Sequence, residues 1–189
     1  MTAPAHAGPV EPSRWLARFA PLIRAGGSVL DFACGRGRHA CWLARRGWQV
    51  EAVDRDPEAL AAFAGEPGVT TVVADLEGGE WRYAGRRFDA VVATNYLHRP
   101  RLALLLDCVA PGGVLVYETF MTGNERLGRP ASPEFLLRPG ELLERLAAGF
   151  TIVAFEQGEV LSPRPAVVQR VCAIRGAGAA FVLPEPAAT

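Results

Sequence analysis

Three aspartates stand at the ends of three apolar runs: Asp31 after Val29-Leu30, Asp54 after Trp48 to Val53, and Asp75 after Val69 to Ala74. Between the first two lies the turn Asp31 to Gly37, then His39 to Arg46, with the length and apolar content of a helix stopped by Gly47. Strand, glycine turn, helix, strand is one βαβ half of a nucleotide-binding sheet. Its glycines place a ligand at the carboxyl end of the first strand.

Two ligands compete for such a turn. Gly35-x-Gly37-x-x-Ala40 satisfies the dinucleotide pattern, and Asp54 lies at a suitable distance for a ribose-binding acid. Asp31 shifts the balance. A pyrophosphate needs bare amides and a helix N-terminus, and a carboxylate at the strand tip raises the cost of bringing an anion close. S-adenosylmethionine carries a sulfonium, an ammonium and no phosphate. One acid suits its amino-acid end and a second suits its ribose diol.

The run Asp31-Phe-Ala-Cys-Gly-x-Gly37 resembles the first motif of class I S-adenosylmethionine-dependent methyltransferases, with Ala33 where that family often has glycine. The alanine implies that the backbone at 33 needs no positive φ. The resemblance implies a cofactor held by Asp31, Ala33, Cys34, Gly35, Gly37 and Arg38 at the first turn. It further implies Asp54 and Arg55 at the ribose, Asp75 and Leu76 at the adenine, and Asn95 beside the methyl. Over residues 13 to 175 the chain resembles the small stand-alone bacterial enzymes of this class, such as the tellurite-resistance and thiopurine types.

Asn95-Tyr96-Leu97-His98 follows the fourth strand, where the transferred methyl should sit. It lacks the double proline of N-P-P-Y, which argues against methylation of nucleic-acid bases. His98 is a candidate general base or a helix cap. Tyr96 lines the methyl pocket or packs. Glu118, ending the fifth strand, is the third catalytic candidate. The stretch Glu118 to Leu137 is too long for an idle connection and is expected to be a mobile substrate lid. Its Arg126 and Arg129 are candidate anchors for an anionic acceptor, or solvated surface groups. Trp15, with Phe19, caps the pocket or packs a short helix onto the domain.

The elements that must position these groups alternate. Ser13 caps a helix over Arg14 to Phe19, and Asp56 caps one from Pro57 to Phe63. Phe88 to Thr94 is a near-continuous apolar strand, as burial on both faces demands. A leucine-rich helix covers Arg101 to Val109, Pro111-Gly112-Gly113 turns, and Val114 to Glu118 is a strand. A helix runs from Pro139 to Ala147. Two strands without a helix between them, Thr151 to Phe155 and Val167 to Ile174, close the domain. The expected fold is α/β, Rossmann-like and doubly wound: a mostly parallel seven-stranded sheet with one antiparallel strand near the C-terminus. Residues 1–12 are expected to be flexible, 13–175 to form one domain, and 176–189 to be an Ala/Pro-rich tail.

Composition narrows the classes. Twenty bases balance twenty acids in 189 residues, so no strong field draws the chain to nucleic acid or an anionic membrane. Every base is arginine, which excludes Schiff-base, P-loop and kinase lysines within these residues. Cys34, Cys41, Cys108 and Cys172 form no C-x-x-C and the histidines are scattered, so no metal site is expected. Isolated cysteines and an N-terminus unlike a signal peptide suit the cytoplasm. The reading is S-adenosylmethionine-dependent methyl transfer to a small-molecule acceptor, with no nucleic-acid or membrane partner and the oligomeric state open. The alternatives are an NAD-dependent oxidoreductase and a non-catalytic S-adenosylmethionine-binding module.

Overall fold

A computed structural model describes residues 11–176 and 181–185. The flexible segment expected at 1–12 and the tail expected at 176–189 therefore lie mostly outside the described residues. Of the former, Pro12 is already buried.

Seven strands form one sheet in the order β3-β2-β1-β4-β5-β7-β6. β1 (Ser28–Phe32), β2 (Gln49–Asp54), β3 (Val69–Val73), β4 (Phe88–Thr94) and β5 (Val109–Phe120) are parallel. β7 (Ala166–Arg175) runs antiparallel to both β5 and β6 (Phe150–Val160). This is the doubly wound sheet with one reversed strand that the helix-free C-terminal pair requires.

Alternation along the strands explains why they read as unbroken apolar runs. Val29, Ala90, Val92, Val114 and Val116 face one side, where α1 (Arg14–Phe19), α2 (Arg38–Ala44) and α3 (Pro57–Ala61) supply Trp15, Leu16, Phe19, Leu43 and Leu60. Their neighbours Leu30, Val91, Ala93, Leu115 and Tyr117 face the other side. There α4 (Arg99–Asp107) and α5 (Glu141–Leu146) supply Leu102, Leu105, Leu142 and Leu146. Both faces are covered, so neither phase of the pleat can be polar.

Three elements differ from expectation in ways that matter. Asp31 and Phe32 belong to β1 rather than to the turn, so Asp31 is fixed by ladder pairing opposite Ala52 and Val92. Pro111-Gly112-Gly113 lies inside β5, as an excursion between the pairs Phe88–Val109 and Ala90–Val114. Gly113 is needed there, because a Cβ would sit 2.9 Å from the Ala110 carbonyl oxygen and 3.0 Å from that of Asp89. The last helix starts at Glu141 rather than Pro139, after Gly140 with φ +73°. The parallel register pairs Thr94 with Glu118 and Phe32 with Val53, and thereby brings the strand ends to one edge.

Candidate active site

The glycine turn is built by β1, β2 and α2 together. The Cys34 N–H donates to the Val53 carbonyl at 3.0 Å, and the Gly35 N–H donates to Asp54 Oδ2 at 2.7 Å. The other Asp54 oxygen accepts the Asp56 N–H at 3.0 Å. Asp54 thus ties the first turn to the second, a structural task that its spacing alone did not reveal. Gly37 has φ +73°, and a Cβ there would lie 2.6 Å from the Phe63 ring, so it must be glycine. A Cβ on Gly35 would meet nothing within 4 Å, so that stretch of backbone is open to a ligand.

Ala33 corrects the sequence reading. Its φ is +57°, in the left-handed region, although alanine there pays a steric penalty. The turn enforces this geometry between Asp31, fixed in β1, and the Cys34 N–H bond. Asn95 is the second non-glycine residue of this kind, with φ +56°, directly after β4. Backbone strain at the ends of two adjacent strands marks this edge as a site.

Asp31 is 1% exposed. Its Oδ2 has no hydrogen-bond partner among the described residues. Burial pushes its carboxyl up to about 7, opposed by the Ala40 N–H and the Arg38 charge and reinforced by Asp54. A buried carboxyl with one oxygen unpartnered, near the end of β1 and just before an open glycine turn, suits an ammonium ligand better than a pyrophosphate. The residues present therefore suit S-adenosylmethionine.

The neighbouring cleft, about 440 Å³, is lined by Ala33, Asp54, Arg55, Asp75, Leu76, Glu77 and Tyr96. Five of these seven were expected at the cofactor. Glu77 was missed, having no motif to mark it. Tyr96, expected to line the methyl pocket or to pack, lines this cleft and packs against the core beside it. Asp75 is exposed and its Oδ1 accepts the N–H groups of Glu77 and Gly78 at 2.9 and 3.1 Å, which holds its carboxyl below the usual range. Cys34, Gly35, Gly37, Arg38 and Asn95 surround the turn without lining the cleft, and the Cys34 side chain packs into the core.

On the other side of the strand ends, helix α1 is docked by a polar network. The Ser13 N–H donates to His39 Nε2 at 3.2 Å, and the Ser13 hydroxyl donates to Glu118 Oε1 at 3.0 Å. Because Nε2 accepts, the neutral ring carries its proton on Nδ1, which reaches Thr94 Oγ1 at 3.3 Å. Burial, with help from Arg38, lowers the His39 pKa to about 3, so the ring stays neutral. His39 went unread in the sequence; its place in the first turn of α2, two residues past Gly37, was the available signal. Glu118 is also approached by Arg170 Nη1 at 3.4 Å, and the Arg170 guanidinium lies 4.8 Å from the Trp15 ring centre. Glu118 is consequently engaged rather than free. Trp15 is 3% exposed and packs edge-on against Phe19 at 4.6 Å, which places both in the core of that face. His98 is the N-cap residue of α4 but makes no side-chain cap bond.

The stretch 119–137 is tied down rather than loose. The Met121 N–H donates to Val167, the Thr122 N–H to Leu137, and Asn124, buried, bonds Pro130 through Nδ2 and Val167 through Oδ1. Arg99 donates to the carbonyls of Glu134 and Leu136, both at 2.7 Å. These bonds anchor the segment expected to be a substrate lid and leave its tip, including Arg126 and Arg129, exposed. Arg126 Nε donates back to Gly123 at 3.2 Å within that tip.

A seven-stranded sheet with one reversed strand, an acid at the end of β1 and an open glycine turn beside it define the class I methyltransferase fold. Residues 5–155 match the family described as Methyltransferase domain. The chain belongs to that family of S-adenosylmethionine-dependent methyltransferases. An uncharacterized methyltransferase of Mycobacterium tuberculosis is 41% identical over 109 residues, 53% of this chain and 54% of its own length. The chain spans about half the length of these first curated relatives. Thiopurine S-methyltransferase of Pseudomonas paraeruginosa is 29% identical over 165 residues, 74% of this chain and 73% of that one. The crystal structure of TehB from Haemophilus influenzae superposes with a TM-score of 0.67 at 18% identity, covering 85% of this chain and 61% of that one. No helix among the described residues is long and apolar enough to cross a membrane.

Proposed function

We propose that this protein transfers a methyl group from S-adenosylmethionine to a small-molecule acceptor. The observation that carries the reading is the buried Asp31 carboxyl near the end of β1, its Oδ2 without a partner among the described residues, followed directly by a glycine turn whose backbone at Gly35 is open. In this reading Asp31 takes the ammonium of the amino-acid end. Asp54 adds the ribose diol to the two backbone N–H groups it already accepts, since each carboxylate oxygen has a second acceptor position. S-adenosylmethionine supplies an electrophilic methyl on a sulfonium. The protein's part is alignment and exclusion of water rather than bond polarisation.

A small acceptor is supported by the docked helix α1, which covers the β4–β5 end of the site, and by the balanced charge of the chain. The similarity to thiopurine S-methyltransferase adds to it. His98 and Glu118 are the candidate acceptor-side groups, and Glu118, already bound by Ser13 and Arg170, is better suited to hold an acceptor than to deprotonate it. Arg126 and Arg129 remain candidates for an anionic acceptor. Calorimetric titration with S-adenosylhomocysteine and with NAD tests the cofactor: the first should bind and the second should not, and tighter NAD binding would overturn the reading. Methyl transfer to a panel of thiols and other small nucleophiles, against RNA, tests the acceptor.

A further inference from the structure

The Tyr96 hydroxyl is buried and has no hydrogen-bond partner among the described residues. A phenol that gives up water without replacement is destabilising, so such a group needs a reason. Its surroundings supply one. Tyr96 shares its cleft with Asp54 and Arg55 at the end of β2 and with Asp75, Leu76 and Glu77 after β3. After burial, the influences on its phenol are Glu77, Asp75 and Arg55 from the ends of β2 and β3, and Arg101 of α4, whose guanidinium bonds the Gly79 carbonyl in the loop after β3. The groups of the acceptor side, Ser13, His39, Glu118 and Arg170, are not among these influences or the cleft lining.

The backbone is arranged to hold the ring there. Asn95 takes φ +56° and its N–H donates to the Glu118 carbonyl at 2.8 Å, which turns the chain sharply as β4 ends. The hydroxyl of Tyr117, fully buried on β5, donates to the Tyr96 carbonyl at 2.7 Å and fixes the next peptide. Phe32 meets the Tyr96 ring edge-on at 5.5 Å from below. The ring is locked and only its hydroxyl is left unsatisfied. That is the pattern of a preorganised ligand contact.

Resting on the reading of this cleft as the S-adenosylmethionine site, we propose that Tyr96 is a cofactor-binding residue whose hydroxyl recognises the adenine base. A hydroxyl can donate to a ring nitrogen or accept from the exocyclic amine. The carboxylates of Asp75 and Glu77 beside it can only accept, which suits the amine of adenine and disfavours a base with oxygen at that position. Tyr96 is thereby removed from the methyl pocket, where only Asn95 and His98 of the Asn95-to-His98 turn remain.

The test is calorimetry of wild type and Tyr96→Phe with two ligands, S-adenosylhomocysteine and 5′-methylthioadenosine, which keeps the nucleoside and lacks the amino acid. The variant should bind both ligands about tenfold more weakly, by the same factor. Its ligand-free melting temperature should be unchanged or raised, because an unsatisfied buried hydroxyl has been removed; a merely structural role would lower it. Asp31→Asn should do the reverse, weakening S-adenosylhomocysteine and sparing 5′-methylthioadenosine. Unchanged affinity for both ligands in Tyr96→Phe, or a loss confined to S-adenosylhomocysteine, would overturn the assignment. Failure of the wild type to bind either ligand would instead overturn the proposed function.

Discussion

Arg99 grips Glu141 with two prongs, Nε to Oε1 at 2.8 Å and Nη2 to Oε2 at 2.9 Å, and the Glu141 side chain has no exposure to solvent. The same guanidinium reaches the carbonyls of residues 133, 134 and 136, so all five of its N–H groups are used. Arg99 follows His98 directly. One side chain therefore joins the start of α4, the segment 119–137 and α5.

Removing Arg99 leaves the buried Glu141 carboxylate with only the exposed guanidinium groups of Arg138 and Arg145 as counter-charges, at 3.7 and 3.5 Å. Arg99→Met should cost about 3–5 kcal/mol in urea unfolding, and Arg99→Met with Glu141→Leu should cost less than the single change. The pair also sets an acid limb. The Arg99 guanidinium, against the cost of burial, holds the Glu141 carboxyl down at about 2, below its ordinary 4.5. The resulting stability is present above pH 4.5 and is lost as pH falls towards 2. Urea titrations between pH 2 and 5 should show this slope in the wild type and a flatter one in Glu141→Gln.

Asp31 gives the opposite slope. Its carboxyl, raised by burial to about 7 from 3.8, holds its proton in the native chain at pH values where the unfolded chain has lost it. The unfolded state then binds fewer protons, so ligand-free stability should decline as pH rises from about 4 to about 7. Asp31→Asn should remove that decline. S-adenosylhomocysteine binds the charged form, so its affinity should climb through the same range in the wild type and stay level in the variant. A pH-independent affinity in the wild type would mean that Asp31 does not face the ammonium.

Ala33 carries a steric cost at φ +57°. Ala33→Gly should leave stability unchanged or raise it by up to about 1 kcal/mol, relief of the left-handed strain offsetting the added chain entropy. Ala33→Val should lower it and weaken cofactor binding, because a β-branched residue resists this φ. Thermal melts of the three proteins decide the matter.

Asp54→Ala should weaken S-adenosylhomocysteine at least tenfold and also lower stability, by about 1–3 kcal/mol, since the N–H groups of Gly35 and Asp56 lose their acceptor. Binding and melting measured together separate the two roles. A variant with normal affinity would place the ribose elsewhere.

The cofactor half of the site was legible because it is local. Asp31, the glycines, Asp54 and Asp75 stand at strand ends, and strands in a parallel sheet announce themselves as apolar runs. The acceptor half is not local. His39 meets Ser13 and Thr94, Glu118 meets Ser13 and Arg170, and Arg99 meets Glu141, across gaps that leave no periodic trace. The direction of the Tyr96 ring depends on a left-handed Asn95, whose tolerance of that region was the local signal, and on Tyr117 from the next strand, which left none. Ala33 misled for a related reason: a residue's own preference was outvoted by the turn around it. The length of the stretch 119–137 signalled a segment with a task but could not signal its anchors.

The position of β7 has a consequence for how the molecule is made. β6 pairs with β7 alone in this sheet, and the open side of β5 is also filled by β7. A nascent chain that has emerged only as far as Val160 therefore presents one finished parallel half with a bare edge, and a strand with nothing to join. Bare strand edges are where chains stick to one another. Ala166–Arg175 acts as the closing stitch of biogenesis, and nonsense changes just upstream of it should send the product to aggregates or proteolysis although every cofactor residue has already been translated.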